Sequence, residues 1–155
     1  MTKYIKTAVT EFEQFDGSDE MIGKYDIDPE QIGEGMPMYQ LETLKGTIQI
    51  FIGDWIATGV EGEHWPVKDE IFKKTYKKLP VIPKVLAKWI EACKRAGTPL
   101  LMMLDDTLSV EDLTQDDTDQ IEDWMDAHTD NEVSNIISRA WLDGYEVAEI
   151  EVMGV

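Results

Sequence analysis

The chain has 155 residues, with 14 Lys and Arg against 32 Asp and Glu, and a formal net charge of −18 at pH 7. With 43% hydrophobic and 9% aromatic residues it is too apolar for a disordered acidic tail, so a packed core is expected. Such a charge repels nucleic acid and anionic lipid and attracts basic surfaces. No apolar run approaches the roughly 20 residues of a membrane span, and two His and one Cys are too few for a zinc site of the usual kind.

The acids are unevenly spread. Residues 1–79 hold 9 basic and 15 acidic residues, and residues 80–155 hold 5 and 17. Lys77-Lys78-Leu79-Pro80 punctuates the chain between them. Two domains are expected: a small α+β domain over 1–79 and an acidic, mainly helical domain over 80–155. The opening MTKYIKTAVTEFEQF has no apolar core of a signal peptide. The single Cys93 has no internal disulfide partner and suits a reducing compartment.

In the first segment Thr7–Phe12 is predicted as a strand. Asp16-Gly17-Ser18 forms a turn, with Ser18 capping a short helix through Tyr25. Met38–Glu42 and Thr47–Phe51 flank Thr43-Leu44-Lys45-Gly46, a hairpin signal. Strands follow at Trp55–Gly59 and His64–Val67, and Asp69 is expected to cap a helix containing Ile71, Phe72 and Tyr76. The outcome is mostly antiparallel sheet with flanking helix.

The second segment reads as helices. Pro83 suits a first turn and Gly97 a left-handed stop. Between them Leu86, Trp89, Ile90 and Cys93 form one apolar stripe. Ser109 with Asp112 resembles a capping box, opening a helix from about Ser109 to His128 with the stripe Ile121, Trp124, Met125 and His128. Asp130 is expected to cap a third helix, whose stripe is Val133, Ile136, Ile137, Ala140 and Trp141 and which Gly144 ends. Tyr145–Val152 alternates and reads as a closing strand. The fold class is thus α+β: a small antiparallel-sheet segment, then a mainly helical acidic segment ending in a strand.

Little in the chain points to catalysis. Cys93 sits on an apolar stripe and reads as a buried core thiol. His64 lies in a turn-rich stretch, and His128 ends an apolar stripe as a packed or capping side chain does. Gly33-Glu34-Gly35 lacks the strand and helix that a phosphate-binding fingerprint needs. Asp117-Thr118-Asp119 begins like a calcium loop, but Gln120 and Ile121 stand where an oxygen ligand and a glycine belong. No enzyme, no cofactor and no metal site is expected.

The acidic run is the informative feature. From Ala96 to Ser138 there is no Lys or Arg, but there are twelve acids: Asp105, Asp106, Glu111, Asp112, Asp116, Asp117, Asp119, Glu122, Asp123, Asp126, Asp130 and Glu132. On a helix, Asp112, Asp116, Asp119, Asp123 and Asp126 form one stripe opposite Ile121, Trp124 and Met125. Its plain role is to keep a face solvated. Its sharper role is to imitate a nucleic-acid backbone, since helical neighbours stand about 5–6 Å apart, a spacing of the order of that between phosphates. Such a stripe fits a basic groove built for phosphates.

Two resemblances add context. Residues 3–26 and 40–76 resemble a widespread family of small, uncharacterised phage and prophage proteins. The shared marks are Leu44-Lys45-Gly46-Thr47, Gly53-Asp54-Trp55-Ile56, Gly59-Val60, Gly62-Glu63, Pro66, Lys68 and Ile71-Phe72-Lys73-Lys74-Thr75-Tyr76. Val67 stands where that family has Cys, and Asp69 where it has Pro. Residues 81–98 and 138–153 are similar to a second uncharacterised phage family, through Pro83, Trp89-Ile90-Glu91, Cys93-Lys94 and Ala140-Trp141-Leu142-Asp143-Gly144-Tyr145. The resemblances imply a phage origin and a place in the bacterial host cytoplasm. Neither brings an activity or a functional residue.

Charge and phage context together point to a non-catalytic accessory protein. Its expected partner is a basic nucleic-acid-binding groove on a host defence enzyme, with no direct nucleic acid and no membrane. A type II CRISPR nuclease is the first such target, which makes the protein an anti-CRISPR DNA mimic, and a restriction enzyme is the second. The alternative is a replication, packaging or structural adaptor with a merely solvated acidic face.

Overall fold

The computed structural model describes residues 1–30, 35, 37–105 and 111–149. The chain divides into two compact units, Met1–Lys77 and Lys78–Val155. The fold is α+β, with small antiparallel sheets in the first unit and mostly helices in the second.

Among the described residues of the first unit are two three-stranded sheets. One takes the order β1-β5-β6, from β1 (Glu11–Gln14), β5 (Trp55–Thr58) and β6 (His64–Val67). The other takes the order β2-β3-β4, from β2 (Asp28–Glu30), β3 (Met38–Thr43) and β4 (Gly46–Ile50). Every pairing in them is antiparallel. Gly46, at φ 100°, closes the β3–β4 turn in a conformation L side chains resist. Phe15, Leu41, Ile50 and Ile56 are fully buried between the sheets and α1 (Asp19–Lys24). Ser18 caps α1 by accepting from the Met21 amide.

Aromatic and charged side chains pin α2 (Asp69–Thr75) to its sheet. Phe72 stacks on Trp55 at 3.9 Å and meets Phe12 edge-on at 4.9 Å. The Trp55 indole donates to Asp69 at 3.0 Å, and Lys68 binds the nearly buried Asp54 at 2.8 Å.

Among the described residues of the second unit are four helices: α3 (Lys84–Ala96), α4 (Leu100–Leu104), α5 (Gln115–Asp126) and α6 (Asp130–Asp143). Leu86, Trp89, Ile90 and Cys93 are buried as one stripe of α3. They pack with Met103 of α4, Ile121 of α5, and Val133, Ile137 and Ala140 of α6. Gly97 ends α3 at φ 71° and returns its amide to the Cys93 and Lys94 carbonyls. Two short strands, β7 (Val81–Ile82) and β8 (Glu146–Val147), pair in parallel.

Several local expectations need correction. The first strand spans Glu11–Gln14 rather than Thr7–Phe12, because its partner Trp55–Thr58 fixes the register. Asp69 is the first helical residue of α2, not its cap; Lys68 holds the cap position without a side-chain bond. Pro83 is the cap residue of α3 rather than part of its first turn. Thr114 opens α5 in a capping box with Asp117, and Asp112 lies in the turn before it, off the helix. Ser109, Asp106, Gly33-Glu34 and the Ile150–Val152 end of the closing strand lie outside the described residues. Thr129, not Asp130, caps α6, in a second box with Glu132. Strands β2 and β7 and helix α4 have no counterpart in the sequence reading.

Candidate functional site

α5 carries the acidic face. At 3.6 residues per turn, Asp116, Asp119, Asp123 and Asp126 fall within an arc of about 80° centred opposite the buried Ile121. All four are exposed. Gln115 donates to Asp119 at 2.8 Å and Gln120 to Asp116 at 2.7 Å, so neutral amides hold these carboxylates without cancelling their charge. Asp123 and Asp126 sit in the last turn, where the helix dipole is negative and no basic residue answers it.

Not every acid of the run is free. Asp117 receives Lys88 of α3, the Thr114 amide at 2.8 Å and the Thr114 hydroxyl at 2.7 Å. The Lys88 ammonium, then the Thr114 groups, hold its carboxyl down to about 2. Asp117 is therefore a clasp between α3 and α5. Glu132 accepts the Thr129 amide at 2.9 Å and hydroxyl at 2.8 Å, which depress its pKa in the same sense. Asp112 pairs with Arg95 at 3.3 Å through two exposed side chains. Among the described residues Asp105, Glu111, Glu122, Asp123, Asp126 and Asp130 accept no side-chain hydrogen bond and form no ion pair. The structure thus gathers Asp116, Asp119, Asp123 and Asp126 on one face, and sets Asp112, Asp117 and Glu132 to structural work.

Beside this face lies a cleft of about 480 Å³ that the sequence reading missed. Its apolar floor is Trp89, Met103, Leu104, Met125, Val133 and Ile137; Glu122, Asp126, Asp130 and Ser134 stand at its edge. Asp126 belongs to both cleft and stripe. Trp89 is 1% exposed and its indole N–H has no hydrogen-bond partner. A buried donor left unpaired costs roughly 1–3 kcal/mol. The available signal was the run Leu100-Leu101-Met102-Met103-Leu104, too apolar for a connecting loop.

The other groups considered for chemistry have structural partners. Cys93 is 1% exposed, and burial pushes its thiol up, away from the reactive thiolate. The His128 ring donates to the Trp124 carbonyl at 2.7 Å and caps the end of α5. His64 Nδ1 and the Thr58 hydroxyl are hydrogen-bonded across β5–β6 at 3.1 Å. The two line a second cleft, of about 370 Å³. There the Lys24 ammonium, then the Tyr25 hydroxyl, hold Glu13 below its ordinary range. Among the described residues no group of three or more His, Cys, Asp or Glu is arranged to hold a metal ion, and no helix is long and apolar enough to cross a membrane.

Residues 77–151 match the model of a family described as Protein of unknown function (DUF1642), a span just under half of the chain. The α3–α6 helices and the Asp117 clasp lie inside that span. No curated protein and no solved structure matches the chain.

Proposed function

We propose that the chain is a non-catalytic phage accessory protein that works inside the host cell by presenting α5 to a basic, nucleic-acid-binding groove of a host defence enzyme. The carrying observation is the outer face of α5, where four exposed carboxylates stand in line with no cation between Ala96 and Ser138. Their charge complements a surface shaped for phosphates, and complementary fields act first on the encounter rate. The phage-like residues of both units support a host nuclease as target, a type II CRISPR nuclease before a restriction enzyme.

Competition tests this reading. The purified CRISPR nuclease with its guide RNA, and separately a restriction enzyme, are offered labelled target DNA with increasing amounts of the protein. Loss of DNA binding to one of them is expected. The variant carrying Asp116→Asn, Asp119→Asn, Asp123→Asn and Asp126→Asn should associate more slowly and lose most of its salt dependence. A correctly folded variant that competes at the wild-type rate would reduce the stripe to a solvated face and leave an adaptor role.

A further inference from the structure

The geometry points to a second recognition element: we propose that the cleft among α3, α4, α5 and α6 is a docking groove for a basic amphipathic helix of a partner protein. It shares Asp126 with the outer face of α5 but none of the other three stripe residues, so the two sites are tested by separate variants. α4 reads Leu-Leu-Met-Met-Leu and has no polar residue. A helix apolar on every side belongs in a core. Yet only Met103 is buried, while Leu101 is 78% and Met102 57% exposed. Met103 and the half-buried Leu104 line the cleft, while the exposed Leu101 and Met102 stand outside it.

The occupant follows from charge and shape. Glu122, Asp126 and Asp130 stand at the rim unpaired, so a guest must bring cations. A second copy of this chain carries −18 and is repelled, as are nucleic acid and anionic membrane. The walls are helices, with no strand edge to extend, which favours an apolar stripe laid along the groove with Lys or Arg beside it. Met103 and Met125 are unbranched and can shift to admit side chains. That movement would also open the unpartnered Trp89 indole N–H to an acceptor from the guest.

A synthetic leucine–lysine amphipathic helix is the probe, titrated into the full-length protein at physiological salt. The expected result is saturable binding with a downfield shift of the Trp89 indole proton in NMR spectra. Two controls on exposed rim residues preserve the α5 stripe. Ser134→Trp fills the mouth of the cleft, and Glu122→Gln with Asp130→Asn removes two of the three rim charges. Each should melt like the wild type and bind the peptide about tenfold more weakly or worse. A lysine-only peptide of the same charge should bind far less tightly, and a leucine–glutamate peptide not at all. Equal affinity for the lysine-only peptide, normal binding by Ser134→Trp, or a wild-type dimer that Ser134→Trp dissociates would each overturn the assignment.

Discussion

Lys88 on α3 reaches across to Asp117 on α5, and the same carboxylate receives the amide and hydroxyl of Thr114. One side chain thus closes the N-terminus of a helix and ties that helix to its neighbour. This explains why α5 starts at Gln115.

Thr114→Ala should therefore lower stability by about 1 kcal/mol, the usual effect of losing a cap. Asp117→Asn should destabilise too, in a pH-dependent way. The folded carboxyl titrates at about 2, below the ordinary carboxylate value, so its contribution is present above the unfolded pKa and disappears as pH falls through the folded one. Melting curves of wild type and Asp117→Asn should be well separated at neutral pH and converge between about pH 4 and pH 2. A gap independent of pH would show that the carboxylate charge is not the source.

The outer acids should behave in the opposite way. Like charges at i, i+3 and i, i+4 repel by a few tenths of a kcal/mol per pair. Asp116 lies in the first turn, where the dipole favours an anion; Asp123 and Asp126 lie in the last, where it does not. Asp126→Asn and Asp123→Asn are each expected to raise the melting temperature, and Asp116→Asn to leave it flat or lower it. Low salt should enlarge the difference. A stripe tuned only for stability would not place anions at that end.

How much of this was legible depends on the range of the deciding interaction. The stripe Leu86, Trp89, Ile90, Cys93 is a local period, and all four residues are buried as it predicts. The β3–β4 hairpin is local as well, since Gly46 specifies its turn. The start of α5 is local too, a Thr114–Asp117 box, but its tie to α3 is not, because Lys88 reaches Asp117 from 29 residues away. Strands β7 and β8 have two residues each and exist only through their pairing. α4 is apolar throughout and shows no period to read. The acidic run was visible residue by residue. Which members have structural partners was legible in part: the Thr114–Asp117 and Thr129–Glu132 boxes span three residues, whereas Lys88 and Arg95 reach Asp117 and Asp112 from α3.

Cys93 offers a direct check on whether the buried thiol reacts. With 1% exposure and its pKa raised by burial, it should react with an aromatic disulfide reagent only when the chain unfolds. Cys93→Ala should cost about 1 kcal/mol through a small cavity and leave partner binding intact at equal folded concentration. Rapid labelling of the native protein, or a folded Cys93→Ala variant without binding, would contradict this.

The last expectation concerns Asp54, the one charged side chain buried among the described residues. It sits at the bend between β4 and β5, accepting the Phe51 amide at 3.0 Å and the Lys68 ammonium at 2.8 Å. The bend itself is fixed by three backbone bonds: Phe15 to Asp54, Gly53 to Phe15, and Asp54 to Phe51. Lys68 also lies over the Phe51 ring at 4.1 Å, so it binds both ends of the turn and leads directly into α2. Asp54→Ala strips a buried amide of its acceptor and should cost about 2 kcal/mol. Asp54→Asn keeps an acceptor for Phe51 but loses the ion pair, so it should cost less. Lys68→Met retains the aliphatic stem yet leaves a buried carboxylate alone, which is the more damaging half of a broken pair. Lys68→Met should therefore be worse than Asp54→Asn, and the double variant Asp54→Asn with Lys68→Met should recover part of the loss. Chemical denaturation of the four proteins, combined as a double-mutant cycle, measures that coupling. Additive losses would mean that Asp54 holds the turn through Phe51 alone and that Lys68 contributes only its contact with the ring.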